Sequence, residues 1–176
     1  MRVAVLTISD RSAKGEREDR SGPAVAEALG RLVACVEIVE SNVIPDDHAT
    51  IESELRRLAD TGVADLVLTT GGTGLSPRDV TPQATLAVGD YEVPGLPEAM
   101  RAATRAALPA AILSRQAAVV RGRTLVVNLP GSPRGAVECL EAIAGVLPHA
   151  VATLRGDAGD SHPGRDPGSR AVSTVE

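Results

Sequence analysis

Phenylalanine and tryptophan are absent from this chain, and Tyr91 is its only aromatic residue. Such a protein has no rings on which to stack bases, which excludes the aromatic platforms of single-strand nucleic-acid binders. Lysine is almost as scarce. Lys14 stands alone, and a net charge of −5 offers no cationic surface to a phosphate backbone, so no nucleic-acid partner is expected. Cys35 and Cys139 lie far apart among apolar neighbours, the pattern of buried free thiols rather than of a disulfide or a metal pair. His48, His149 and His162 have no zinc-ligand spacing. Apolar runs stop short of the roughly 18 residues of a membrane span. The opening RVAVLTIS lacks the parts of a secretory signal, so a cytoplasmic protein with no membrane partner is expected.

What is present suits one α/β domain. The length of 176 residues and a hydrophobic content of 43% support a single sizeable core of Val, Leu, Ile and Ala. Val3, Val5, Leu6 and Ile8 read as a central strand covered on both faces. The charged stretch Ser9 to Arg20 follows it as a loop. On composition it is solvated surface; on position it lies where open α/β sheets bind ligands. Ser21, Gly22 and Pro23 then open a helix with Val25, Leu29 and Leu32 on one face. Val36 to Ile44 predicts a second strand, and Ile51, Leu55 and Leu58 the next helix, which either Asp46 or Asp47 can cap. Asp65 to Thr70 is a third strand. Further helices are predicted from about Pro82, around Met100, Ala103, Ala107 and Leu108, and around Val137 to Leu147. Tyr91 falls in the break between the first two of these. Ala117 to Val120 and Leu125 to Val127 predict a hairpin, hence a mixed sheet that is mostly parallel. Residues 155–176, rich in Gly, Pro, Asp and Ser, read as a disordered tail.

The stretch LTTGGTGLSPRDVTPQAT, residues 68–85, is the strongest candidate site. Gly71, Gly72 and Gly74 tolerate positive φ and close approach of a ligand, and their backbone amides can bind anions. Ser9 and Asp10, the segment from Gly71 to Asp79, and Pro130 to Ser132 form loops at three strand ends that converge on one sheet edge. Hydroxyls of Thr73, Ser76 and Ser132, with Arg78, add donors for phosphate. The loop has neither the GK[ST] ending of a P-loop nor GxGxxG spacing. Carboxylates at Asp46 and Asp79 beside phosphate favour a magnesium–phosphate complex over bare anion binding. Each candidate also has a purely structural reading: a helix cap for Asp46 and Ser132, and a loop cap or a pair with Arg78 for Asp79.

TTGGTG followed by RDVTP, with LPGSP leading into AVECL, resembles the Mog and MoaB family of molybdenum cofactor biosynthesis. ISDRSAKGEREDRSGP, VIPDD and AILSRQ stand in that family's order, and the likeness covers residues 1–154. It implies a three-layer α/β/α sandwich with a mostly parallel mixed sheet, the molybdopterin-binding fold, in a homotrimer. It further implies a molybdopterin adenylyltransferase. Such an enzyme moves AMP from ATP, with magnesium (Mg²⁺), to the terminal phosphate of molybdopterin and releases pyrophosphate; the product passes to a downstream molybdenum-insertion protein. By the same resemblance Asp46 and Asp79 are catalytic, and Ser9, Asp10, Thr70, Gly71, Gly72, Thr73, Gly74, Gly131 and Ser132 bind substrate. The Asp19 to Gly22 turn borders the same pocket. Gln83 departs from the family's frequent acidic residue. A non-catalytic molybdopterin-binding scaffold or carrier is the alternative.

Overall fold

Alternation along the first strand decides the architecture. The computed structural model describes residues 1–157. Its first half runs β1 (Arg2–Ile8), α1 (Asp10–Ala13), α2 (Ser21–Leu32), β2 (Glu37–Ile44), α3 (His48–Asp60), β3 (Leu66–Thr70) and α4 (Thr81–Val88). The second half runs β4 (Tyr91–Glu92), α5 (Gly95–Thr104), β5 (Ala118–Arg121), β6 (Thr124–Leu129), α6 (Pro133–Ile143) and α7 (Leu147–Arg155). Val3 and Val5 leave one face of β1, while Ala4, Leu6 and Ile8 leave the other, and all are buried. A strand apolar at both parities needs a cover on each side. On the first face Val25, Leu29, Met100, Leu140 and Leu147 pack over Leu66, Leu68, Leu125 and Val127. On the second, Ile51, Leu55, Leu58, Ala84 and Val88 pack over Val67 and Val126. The result is the expected three-layer α/β/α sandwich.

The six strands lie in the order β2-β1-β3-β6-β5-β4. β2, β1, β3 and β6 are mutually parallel, while β5 runs antiparallel to both β6 and β4. Register brings the carboxyl ends of the parallel strands level. Ile8 stands beside Ile44, Thr7 beside Thr70, and Thr70 beside Leu129. The four segments that leave these ends therefore start side by side, across the point where chain connections diverge to opposite sides of β1.

Several local expectations change. The Ser9 to Arg20 stretch contains the short helix α1, capped by Ser9, whose side chain accepts from the Ser12 amide. α2 is capped not by Ser21 but by Asp19, which accepts from the amides of Ser21 at 3.0 Å and Gly22 at 3.1 Å. Leu32 is exposed, and α5 stops at Thr104, leaving Leu108 exposed beyond it. Tyr91 is not in an irregular break but in β4 at the sheet edge. Cys139 is buried as expected. Cys35 is exposed, in a turn with φ +57°. The segment Pro133–Arg155 is long and apolar enough to cross a membrane by composition, yet a 3-10 turn at Ala144–Val146 breaks it, and Leu140, Ile143, Leu147 and Val151 pack into the core.

At the amino ends of the central strands Asp65 gathers three elements. Its carboxylate accepts from the Arg2 amide and from both the Arg2 and Arg155 guanidiniums. Arg155 thus belongs to the folded domain rather than to a tail beginning at 155, and the rest of the expected tail from residue 158 lies outside the described residues. Burial pushes the Asp65 carboxyl up, but the two arginines outweigh it and hold its pKa below the usual value. A depressed carboxylate stabilises the fold above its unfolded pKa, and that contribution is lost as pH falls through the folded value. Asp65 is buried, whereas the Arg2 and Arg155 side chains are 44% and 37% exposed and return to water when it is removed. Asp65→Ala is therefore expected to cost about 2 kcal/mol, nearer the loss of a charged hydrogen bond than that of a fully buried ion pair. The shift of the urea midpoint between pH 7 and pH 3 measures it, and it should shrink at the acid end.

Candidate active site

Four parallel strand ends deliver the candidate residues: Ser9 and Asp10 after β1, Asp46 after β2, Thr70 to Asp79 after β3, and Gly131 and Ser132 after β6. Short backbone links bind the ends to one another. The Ser9 amide donates to the Ile44 carbonyl at 2.9 Å, and the Gly71 amide to the Leu129 carbonyl at 3.2 Å. The Thr70 hydroxyl donates to the Pro130 carbonyl at 2.6 Å, tying the β3 and β6 loops together.

Gly71 and Gly72 occupy φ values of +108° and +61°, where side chains are strained. A Cβ at Gly71 would also strike the Ile8 carbonyl, and one at Gly72 would strike the Thr81 hydroxyl and lie 3.2 Å from an Asp46 oxygen. Glycine is thus required by backbone and by neighbours alike. Of the loop amides, that of Gly71 is engaged. Those of Gly72, Thr73, Gly74, Gly131 and Ser132 donate to no protein acceptor among the described residues, so an anion finds them unpaired.

The two neighbouring aspartates have different work. Asp47 caps α3, accepting from the Thr50 amide at 2.8 Å. Asp46 is thereby released from capping and instead exchanges hydrogen bonds with Asp10. Its carboxylate accepts from the Asp10 amide at 2.8 Å, while its own amide donates to the Asp10 carboxylate at 3.1 Å. The second Asp10 oxygen takes the Arg78 guanidinium, so Arg78 pairs with Asp10 rather than with Asp79. Asp79 accepts from the Ser76 amide at 3.0 Å and closes its own turn. Ser132 caps α6, accepting from the Gly135 amide at 3.2 Å, and its hydroxyl hydrogen remains free to donate to a ligand.

Partial burial, and then the charge of Asp79, push the Asp46 pKa above the usual aspartate value. A raised carboxyl holds its proton longer in the folded chain, so its contribution to stability falls as pH rises from the unfolded pKa through the folded one. In Asp79→Asn the Asp46 pKa should move down towards the ordinary value without reaching it, because the burial remains. Carbon-13 titration of the Asp46 carboxyl in magnesium-free protein reads this. An unmoved pKa would mean that the two carboxylates do not face each other.

Ser9, Asp46, Thr70, Gly71, Gly72, Gly131 and Ser132 line one cleft of about 400 Å³, with Thr7, Ser12 and the Arg17 to Ser21 turn as its other wall. Asp19 shapes that wall: the Thr7 hydroxyl donates to it at 2.7 Å. Thr73 and Gly74 instead line a second cleft of about 400 Å³, more apolar, walled by Leu75, Leu108, Leu113, Gln116 and Cys139. Ser132 borders both. Asp10 and Asp79 line neither cleft.

The probable molybdopterin binding domain model matches residues 4–149, which is most of the chain. The chain belongs to this molybdopterin-binding family. It is 46% identical over 143 residues to the molybdopterin adenylyltransferase of Escherichia coli strain K12, covering 81% of this chain and 73% of that one. The Helicobacter pylori (strain J99) molybdopterin adenylyltransferase is 41% identical over 155 residues, 88% of each chain. Among solved structures, the molybdopterin biosynthesis enzyme MoaB of Thermus thermophilus superposes with a TM-score of 0.82 at 49% identity, over 88% of this chain and 96% of that one. The molybdopterin biosynthesis Mog protein of Mycobacterium ulcerans gives 0.78 at 38% identity, over 86% and 97%.

Some features of this molybdopterin-binding domain carried no sequence signal. Asn128, fully buried on β6, donates to the Thr69 and Thr85 hydroxyls at 2.9 and 2.8 Å and accepts from the Ala117 amide. It locks β3, α4 and β5 together just beneath the loops. The second cleft is assembled from apolar residues far apart in the chain, and no motif announces it.

Proposed function

We propose that this chain is a molybdopterin adenylyltransferase, moving AMP from magnesium-bound ATP to the terminal phosphate of molybdopterin with release of pyrophosphate. One observation carries the reading: two carboxylates, Asp46 against Gly72 and Asp79 against Gly74, lie on one glycine loop whose Gly72, Thr73 and Gly74 amides are unpaired among the described residues. The likeness to adenylyltransferases over most of the chain supports the same reaction.

A pair of carboxylates, with no cluster of three or more His, Cys, Asp or Glu ligands among the described residues, fits magnesium, which takes one or two carboxylates and completes its shell with phosphate and water. Asp46 and Asp79 would hold the ion, which when bound would neutralise phosphate charge. The remaining work belongs to the chain. Amides of Gly72, Thr73, Gly74, Gly131 and Ser132 grip phosphate oxygens and receive charge that develops in the transition state. An oxygen of the molybdopterin phosphate bonds to the α-phosphorus as the bond to the bridging α–β oxygen breaks, and pyrophosphate leaves with that electron pair. Positioning suffices, and no covalent enzyme intermediate is required. The two clefts that meet at Ser132 give the two substrates separate walls. Exposed Leu108, Ile112 and Leu113 beside the second cleft offer an apolar surface that other copies of the chain would cover in the proposed homotrimer. A cytoplasmic setting and transfer of product to a molybdenum-insertion protein complete the proposal.

Pyrophosphate release tests it. Release that requires molybdopterin, ATP and magnesium together is the expected result. Tight molybdopterin binding with no pyrophosphate would establish the scaffold instead.

A further inference from the structure

Between Gly74 and Asp79 the chain runs through Leu75, Ser76, Pro77 and Arg78, all exposed and in neither helix nor strand. Local bonds of Ser76 and Asp79 turn the segment, Arg78 reaches Asp10, and the bonds at its two ends come from a residue distant in sequence. The Arg115 amide donates to the Thr73 carbonyl at 2.9 Å, and its Nε donates to the Gly74 carbonyl at 2.7 Å. Its Nη2 reaches the Asp79 carbonyl. Arg115 thus clasps the segment at both ends and closes it into a ring. Inside the ring the Asp79 carboxylate lies against Gly74, where a Cβ would come within 2.9 Å of it, and accepts from the Ser76 amide.

The choice of arginine is informative. Arg2, Arg56, Arg57, Arg121 and Arg155 all pair with carboxylates, whereas Arg115 has no carboxylate partner among the described residues. Its donors go to carbonyls five positions apart. A planar fork with diverging N–H groups spans such a pair; a lysine ammonium is a single point and cannot hold both in one geometry.

We infer that Arg115 is a positioning residue of the reaction: by fixing the peptide units of Gly74 and Asp79 it holds the Asp79 carboxylate in place against Gly74, on the same glycine loop that the Asp46 carboxylate meets at Gly72. The inference rests on the adenylyltransferase reading for its kinetic part alone. Misplacing a reacting group by about 1 Å costs on the order of 100-fold in rate. Arg115→Lys and Arg115→Ala are therefore expected to lower kcat by about 10- to 100-fold with KM for ATP changed by less than about threefold. In an Asp79→Asn background the further loss should fall to about threefold or less, because the residue acts through that carboxylate.

Hydrogen exchange of the peptide covering residues 74–81 reads the clasp without any turnover. Exchange in both variants should rise by about tenfold or more there while the core strands keep wild-type protection. Wild-type exchange in Arg115→Lys would overturn the clasp. Faster exchange with wild-type kcat, or an undiminished loss in the Asp79→Asn background, would overturn the positioning role. Should Arg115→Ala fail to fold, Arg115→Lys decides alone. If the wild-type protein forms no adenylyl-molybdopterin, the parent reading fails, and the exchange experiment still decides whether Arg115 holds the loop.

Discussion

Asp79→Asn is expected to slow adenylyl transfer by about 100-fold or more while leaving the fold and most molybdopterin affinity in place. Asparagine keeps an oxygen that can accept from the Ser76 amide, as Asp79 does at 3.0 Å, so the turn from Ser76 to Asp79 should persist. What disappears is the Asp79 charge, which after burial helps to push the Asp46 pKa above the usual aspartate value. A loss of that size is typical when one preorganised electrostatic group is removed from a reaction centre. Initial rates at saturating ATP and molybdopterin, beside a thermal melt and a molybdopterin titration, separate these effects. A folded variant that turns over at the wild-type rate would remove Asp79 from the chemistry and reduce it to a loop cap.

Asp46→Asn should cost about 100-fold by the same argument, again with the fold retained. The amide of residue 46 still donates to the Asp10 carboxylate, and the asparagine oxygen can still accept from the Asp10 amide, so the reciprocal pair survives. The two substitutions together are the sharper experiment. Were the carboxylates independent, their factors would multiply to about 10,000-fold. Two carboxylates that serve one cation act as a unit, and the double variant is expected to lose little more than either single one. Rates measured for all four proteins across a magnesium titration give the coupling. A double variant showing the full product would contradict a shared ion.

How much of this was legible in the sequence differs from residue to residue. The two-sided strand was legible because Val3 and Val5 alternate with Ala4 and Leu6, and only a sandwiched strand is apolar at both parities. The cap at Ser132 was legible because Pro133 follows it. Asp46 and Asp47 were not separable, since both can cap; the extended backbone at Asp47, φ −123° and ψ 124°, gives it the cap and leaves Asp46 to the site. The β4 strand escaped notice because Tyr91 and Glu92 are exposed and their pairing is decided by β5. Leu32, Cys35 and Leu108 looked like core by their neighbours, yet periodicity does not say where a helix stops or which way a turn faces. Arg115 was hidden for another reason. Its partners are backbone carbonyls, and no side-chain pattern reports them.

Transfer of AMP, rather than binding of molybdopterin alone, is the role proposed for Asp46, Asp79 and the glycine loop. Incubating the purified protein with molybdopterin, magnesium and ATP labelled in the α-phosphate tests this most directly. The predicted result is label covalently attached to molybdopterin, in amounts that exceed the enzyme and that collapse in Asp79→Asn. Molybdopterin that binds but stays unlabelled under the same conditions would make the protein a binding scaffold and not a transferase.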